Sequence, residues 1–377
     1  MSETQPAEPA PPITPAGQVI TTLVHRPSRA PVPWWRRAVV YQVHGPADLA
    51  AVAALSGEVS HVARLGATAV ELRVPDVDPA DPEHEETVAE LVRRVHQRSL
   101  RLVVSLADVP AATTLARADA WLGAGADGLD LGILTGPPQA DLGSLHALAA
   151  EHDAVLTAAI SARHPELVTE HLHEHWLHVT REDALAITEW DAGHLRAVVS
   201  DTYLQREAAG AVPAWTLSDL GGGGVWGLGA DGAARRRRRA ATLLMLALPG
   251  TVYIHQGEAV GVAPRPDDPV GTIREVAAMA AEQRGTPGSL FERYRYALRL
   301  RDELGLGTGP LAWVDDAPGP STLALLTRDL LVLTNLSGET VAVPSDREVL
   351  HASDDLPLPS DGLVFLPPDT TVWLALG

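Results

Sequence analysis

The chain of 377 residues contains no cysteine, no lysine and a single asparagine, Asn335. Without cysteine there can be no disulfide, no thiolate nucleophile and no zinc ribbon. All 29 basic residues are therefore arginine, a bias that matches the abundance of Ala, Gly and Pro and reads as codon usage in a GC-rich genome. No apolar run approaches the roughly 18 residues of a membrane span. Positive charge is in deficit: 29 basic against 48 acidic residues leave −19, with a pI near 5.1. Such a surface repels phosphate backbones and argues against nucleic acid as a partner. The opening MSETQPAEPAPPITPAG lacks the basic and apolar regions of a secretory signal, so a cytoplasmic location is expected. Asn335-Leu-Ser matches a glycosylation sequon, which carries no meaning without secretion.

Residues 1–32, rich in Pro, Ala, Thr and Glu, are expected to be disordered, because they offer too little apolar area to bury. Beyond them, eight β-rich runs alternate with helical patterns: residues 38–44, 68–74, 101–106, 128–134, 154–160, 184–190, 211–218 and 251–257. Strand–helix repetition implies parallel strands, and eight units predict a (β/α)8 TIM barrel over residues 33–308, with a doubly wound open sheet as the alternative. After the Gly/Pro stop in RDELGLGTGP, short strands separated by turn residues predict a small C-terminal all-β domain over 309–377.

The order of several segments resembles the α-amylase superfamily, glycoside hydrolase family 13, in particular its bacterial α-glucosidase and oligo-1,6-glucosidase branch. WWRRAVVYQV is similar to that branch's first barrel strand, VARLGATAVEL to the next helix and strand, and GAGADGLDLG to the fourth-strand motif. PAWTLSD is similar to the seventh strand, and RRRRRAATLLMLALPGTVYIHQGEAVG to the helix and strand that close the barrel. The resemblance implies a retaining glycosidase ancestry, in which two carboxylates about 5 Å apart flank the scissile bond. It also implies where those carboxylates should stand, and there this chain departs from the pattern.

The family's fourth strand reads Gly-x-Asp-Gly-Phe-Arg-x-Asp. Gly125, Asp127 and Gly128 match, but Asp130 stands in place of the Arg and Gly132 in place of the nucleophile. Ala159 falls at the acid/base position on the fifth strand. After the seventh, Ser218-Asp219-Leu220-Gly221 replaces Ser-Asn-His-Asp, so Gly221 stands where the transition-state carboxylate belongs. Ser105, Val109 and Pro110 replace the third strand's Asp and Asn-His pair. The subdomain that overhangs the family's cleft has no room between the third and fourth runs. Glycine and alanine can neither attack an anomeric carbon nor give a proton, so the catalytic set is lost as a unit.

Asp108, Asp130 and Asp219 lie near C-terminal strand ends, the functional face of such barrels, and are candidates for a ligand pocket or a new acidic cluster; otherwise they are solvated loop acids or caps. His171, His175 and His178 in HLHEHWLH have spacing that could hold zinc, but exposed helical histidines seldom have an oriented second shell. No metal or cofactor is expected. Glu258 reads as a structural hydrogen bonder. The run Arg235 to Arg239 reads as a solvated helix turn with local acidic partners rather than an anion site. The glycines from Gly221 to Gly224 lack the lysine and acidic residue of a nucleotide fingerprint and read as a vacated catalytic corner.

The expectation is a non-catalytic α-amylase-family protein that binds a protein partner or an α-glucan. One alternative is a glycosidase or other hydrolase working through Asp108, Asp130 and Asp219. Another is a sugar sensor.

Overall fold

The computed structural model describes residues 20–27, 31–136, 141–220, 224–225, 232–344 and 347–376. After β1 (Thr21–His25) and a 3-10 turn at Trp34–Arg37, the chain winds strand and helix in turn. The order is β2 (Val39–Pro46), α1 (Leu49–Leu65), β3 (Ala69–Arg73), α2 (Pro82–Gln97), β4 (Arg101–Ser105), α3 (Ala111–Gly123) and β5 (Gly128–Ile133). It continues with α4 (Leu142–Glu151), β6 (Val155–Ala159), α5 (Pro165–Glu174), β7 (Val179–Arg181), α6 (Ala184–Ile187), α7 (Ala192–Ala208) and β8 (Ala214–Trp215). A small antiparallel ribbon, β9 (Ser218–Asp219) with β10 (Gly224–Val225), leads to α8 (Gly232–Ala247), β11 (Thr251–His255), α9 (Pro269–Gln283) and α10 (Leu290–Glu303).

Eight parallel strands in the order β7-β6-β5-β4-β3-β2-β11-β8 form a TIM barrel. The ring closes through one parallel bridge between Glu182 and Trp215. Only α3 lies between β4 and β5, so no subdomain overhangs the mouth. Aspartates start many of the outer helices: Asp48, Asp81, Asp141, Asp191 and Asp268 each accept a backbone N–H of the first turn. The barrel interior is narrow at its base, where Ala38, Val40, Ala69, Val155, Val179, Ala214 and Tyr253 pack together. The larger core lies between the strands and the outer helices.

Behind the barrel, β12 (Leu311–Val314), β13 (Thr322–Thr327), β14 (Leu330–Asn335), β15 (Val341–Pro344), β16 (Val349–Ala352), β17 (Leu363–Leu366) and β18 (Thr370–Ala375) form the all-β domain. Its main sheet runs β1-β12-β13-β14-β18-β16, and β15 pairs with β17 separately. Alternation assigns the two faces of the main sheet. Leu323, Leu325, Val332 and Trp373 join the barrel's core, whereas Ala324, Leu333, Val372 and Leu374 pack with Val343 and Val364 of the small sheet. The Trp373 indole donates to the Leu243 carbonyl of α8 at 3.2 Å, and Trp313 to Ser200 of α7 at 2.9 Å. Asn335 is fully buried and donates to the carbonyls of Glu339, Leu366 and Pro367, so the lone asparagine pins a turn.

Two expectations are corrected. The sixth run, residues 184–190, is not a strand: Ala184–Ile187 is a helical turn, and the sixth barrel strand is β7 at Val179–Arg181. The charges in HVTRED conceal it, because Arg181 and Glu182 are buried as partners of Glu71 and Arg206 rather than solvated. Within the segment expected to be disordered, Thr21–His25 forms β1, pairing antiparallel with β12. The β-branched run VITTLV gives local strand preference, and the open edge of β12 supplies the hydrogen bonds. Among the described residues no helix is long and apolar enough to cross a membrane.

Candidate functional site

Successive side chains of a strand alternate between its two faces, so the residue two positions beyond each base residue also faces into the barrel. Two positions beyond Val40, Ala69, Val103, Gly128, Val155, Val179, Ala214 and Tyr253 stand Gln42, Glu71, Ser105, Asp130, Thr157, Arg181, Thr216 and His255. The interior thus changes within one step from alanine, valine and tyrosine to a belt of polar side chains. Above the belt, at the C-terminal ends of the strands, lies a cavity of about 550 Å³. Its wall includes Gln42, His44, Glu71, Arg73, Asp108, Asp130, Arg181, Ser218, Asp219 and His255.

The floor is a charge network. Arg181 of β7 reaches Glu71 of β3 at 3.3 Å, four strands away around the sheet, so their ion pair spans the barrel interior. The guanidinium lies 4.5 Å from the centre of the Tyr253 ring, in cation–π range. Gln42 donates to Glu71 at 2.5 Å. Asp130 is 1% exposed and accepts from the Ser105 hydroxyl at 2.8 Å, the Gly132 amide at 2.8 Å and the Thr157 hydroxyl at 3.1 Å.

Burial, followed by the charge of Asp130, raises the Glu71 carboxyl to about 7 against the pull of Arg181. Burial, with the positive charges of Arg181 and Arg238, lowers His255 to about 3, and burial with Arg73 also lowers His44. Both imidazoles are therefore neutral at pH 7.

At the rim Asp108 pairs with Arg73 at 3.1 Å. Asp219 is held by both terminal nitrogens of Arg163 at 2.6 and 3.1 Å, and the same arginine reaches Asp183 at 3.4 Å. Asp183 is fully buried and also accepts from Ser161, the Ala162 amide and the Leu220 amide.

Asp108, Asp130 and Asp219 thus line one cavity, but each is engaged by its own partners. Gly132 lines the cavity too, whereas Ala159 is fully buried and off its wall. Gly221 lies outside the described residues. At Gly132 φ is +73°, and a Cβ built there would lie 2.5 Å from the Ala107 Cβ. The backbone has settled into a left-handed conformation that favours glycine.

The three histidines do not converge. His171 is buried within α5, His175 ends that helix at φ +60°, and His178 accepts the Leu156 amide through Nδ1 and stacks on His146. Among the described residues no group of three potential ligands is placed to hold a metal ion. Glu258 accepts from Tyr294 at 2.8 Å and pairs with Arg238 at 2.7 Å beneath β11. Arg237 and Arg239 pair with Asp369 and Asp354 of the β-domain.

Sequence reasoning missed Gln42, Glu71, Arg73, Arg181, His44 and His255. The signal available for Gln42, Glu71, Arg181 and His255 was the period of two: a polar residue two places after an apolar inward one, with His44 and Arg73 two places further on.

A barrel with a closed polar floor and an open, charge-paired mouth, backed by an antiparallel β-domain, defines the architectural class. No family model and no curated protein matches the sequence. Solved structures do match. A family GH13_31 enzyme superposes with a TM-score of 0.64 at 12% identity, covering 90% of this chain and 99% of that one. An α-amylase from Malbranchea cinnamomea superposes with a TM-score of 0.57 at 14% identity, covering 90% and 97%. The chain has the fold of these GH13 α-amylase-like enzymes, including the domain behind the barrel.

Proposed function

We propose that this is a non-catalytic member of the α-amylase superfamily that binds a sugar or short α-glucan in the cavity at the barrel mouth. The observation that carries the reading is the conjunction of an open cavity of about 550 Å³ with carboxylates that are already engaged. Asp130 has three donors, and Asp108 and Asp219 each face an arginine. A carboxylate so satisfied is a poor nucleophile, and the family's nucleophile and acid/base positions hold Gly132 and Ala159. Polar groups fixed on a rigid barrel suit recognition of a polyhydroxylated ligand.

The test is hydrolysis of maltose and an aryl α-glucoside by the full chain, with Asp130→Asn alongside. No turnover above the uncatalysed rate is expected. Turnover that the substitution abolishes would replace this reading with that of a glycosidase built on non-standard acids.

A further inference from the structure

At the end of the barrel opposite the mouth, where β2 begins at Val39 and Thr68 precedes β3, lies a second cavity of about 340 Å³. The charged residues of its wall are Arg37, Arg64, Arg295, Arg299, Arg301 and Asp302. Three elements supply them: the 3-10 turn carries Arg37, the last turn of α1 carries Arg64, and α10 carries the rest.

Such a wall stands out in a chain of 29 basic and 48 acidic residues. Elsewhere exposed arginines meet carboxylates: Arg94 reaches Glu90 at 2.7 Å, and Arg265 reaches Asp268 at 3.3 Å. In this cavity Arg295 pairs with Glu292 at 2.6 Å and Arg299 with Glu303 at 3.7 Å. Arg37, Arg64 and Arg301 make no ion pair among the described residues. Set against Asp302, these three leave two positive charges unmatched.

Arg301 is the fixed member of the group. It is only 3% exposed and donates to the carbonyls of Leu246 and Leu248 at 2.7 Å and of Gly250 at 2.6 Å, with no carboxylate among its partners. Burial lowers its pKa to about 10, so it is still a cation at pH 7. A buried charge met only by carbonyl dipoles is incompletely compensated. Gly307, also on the wall, lets a second arginine approach: a Cβ built there would lie 3.0 Å from the Arg37 Cβ and 3.4 Å from Nη2 of Arg301. Arg37 and Arg301 thus converge on one point of the wall.

We propose that this cavity binds a phosphate dianion, either free or as the monoester of a small metabolite. Its two charges equal the unmatched charge of the wall, and the guanidinium fork fits phosphate oxygens two at a time. A monocarboxylate would cancel only half of that charge. The chain's −19 opposes diffuse binding of anions, so affinity here comes from the local arginines. The site lies apart from the mouth and does not depend on the reading of the mouth as a sugar site.

Full-length protein is titrated calorimetrically at pH 7 and constant ionic strength with glucose 6-phosphate, inorganic phosphate and acetate. Both phosphates should saturate one site, and acetate should bind at least about tenfold more weakly. Tighter binding of glucose 6-phosphate than of inorganic phosphate assigns the monoester, and equal affinities assign the free ion. Arg37→Ala and Arg64→Ala, exposed positions on separate elements, should each weaken phosphate about tenfold, as expected for the loss of one charge-assisted contact. Arg93→Ala, which removes one charge from α2 far along the chain, should leave the affinity unchanged. Absence of saturable phosphate binding overturns the inference. So does binding that Arg37→Ala and Arg64→Ala weaken no more than Arg93→Ala does.

Discussion

Gly132 and Glu71 are the residues of this cavity whose conformation and burial most constrain what it can do. Putting aspartate back at residue 132 would place a Cβ against Ala107 in a left-handed backbone. Gly132→Asp is therefore expected to restore no α-glucosidase activity and to cost about 1–3 kcal/mol of stability, read by urea denaturation. Turnover in this variant would show that the site accepts an aspartate at residue 132 as a working nucleophile. Glu71 makes a pH-dependent contribution. Its folded-state pKa of about 7 lies above its ordinary value of 4.5, so the native state binds the extra proton. Stability from this group is full below pH 4.5 and falls as pH rises through 7. Glu71→Gln cannot ionise, so its stability relative to the native chain should be greater at pH 8 than at pH 5. Denaturation curves at the two pH values check the sign, and an unchanged difference would mean that Glu71 ionises at its ordinary pKa. Asp130 was legible from the sequence because it sits in a recognisable motif. Glu71 was not, because a single charge inside AVELRV resembles an exposed strand position when its barrel face is unknown.

At the scale of elements, most of the barrel was readable because apolar runs and helical spacing repeat regularly. The errors fell where tertiary partners override composition. Val179–Arg181 is a strand because Arg181 finds Glu71 across the barrel, a contact between residues more than a hundred positions apart. Thr21–His25 is a strand because β12 offers it an edge. The arginine run on α8 divides in a way that spacing alone does not reveal. Arg238 is buried, pairs with buried Glu258 and donates to the Leu217 carbonyl at 2.9 Å, just before the ribbon that carries Asp219. Arg237 pairs with Asp369 from a half-exposed position. Arg238→Ala should cost about 3–5 kcal/mol by stranding Glu258, whereas Arg237→Ala should cost about 1 kcal/mol or less. Thermal unfolding of the two variants side by side checks the contrast, and similar losses would contradict the assigned geometry.

For the molecule as a whole, the β-domain buries one face of its main sheet against the outer helices, so the barrel and the domain behind it share a core. Among the described residues no subdomain stands between β4 and β5 to form a cleft wall at the C-terminal strand ends. A long polymer would find few walls to grip, and a short ligand in the mouth fits the geometry better. The likeness to GH13 enzymes lies in the fold, and in this chain an ion pair across the barrel occupies the space above the base. Binding without turnover can be read in one experiment, because calorimetric titration of maltose into the full chain reports both. A saturating binding isotherm that returns to baseline after each injection is the predicted result. Continuous heat from hydrolysis after each injection would contradict the account.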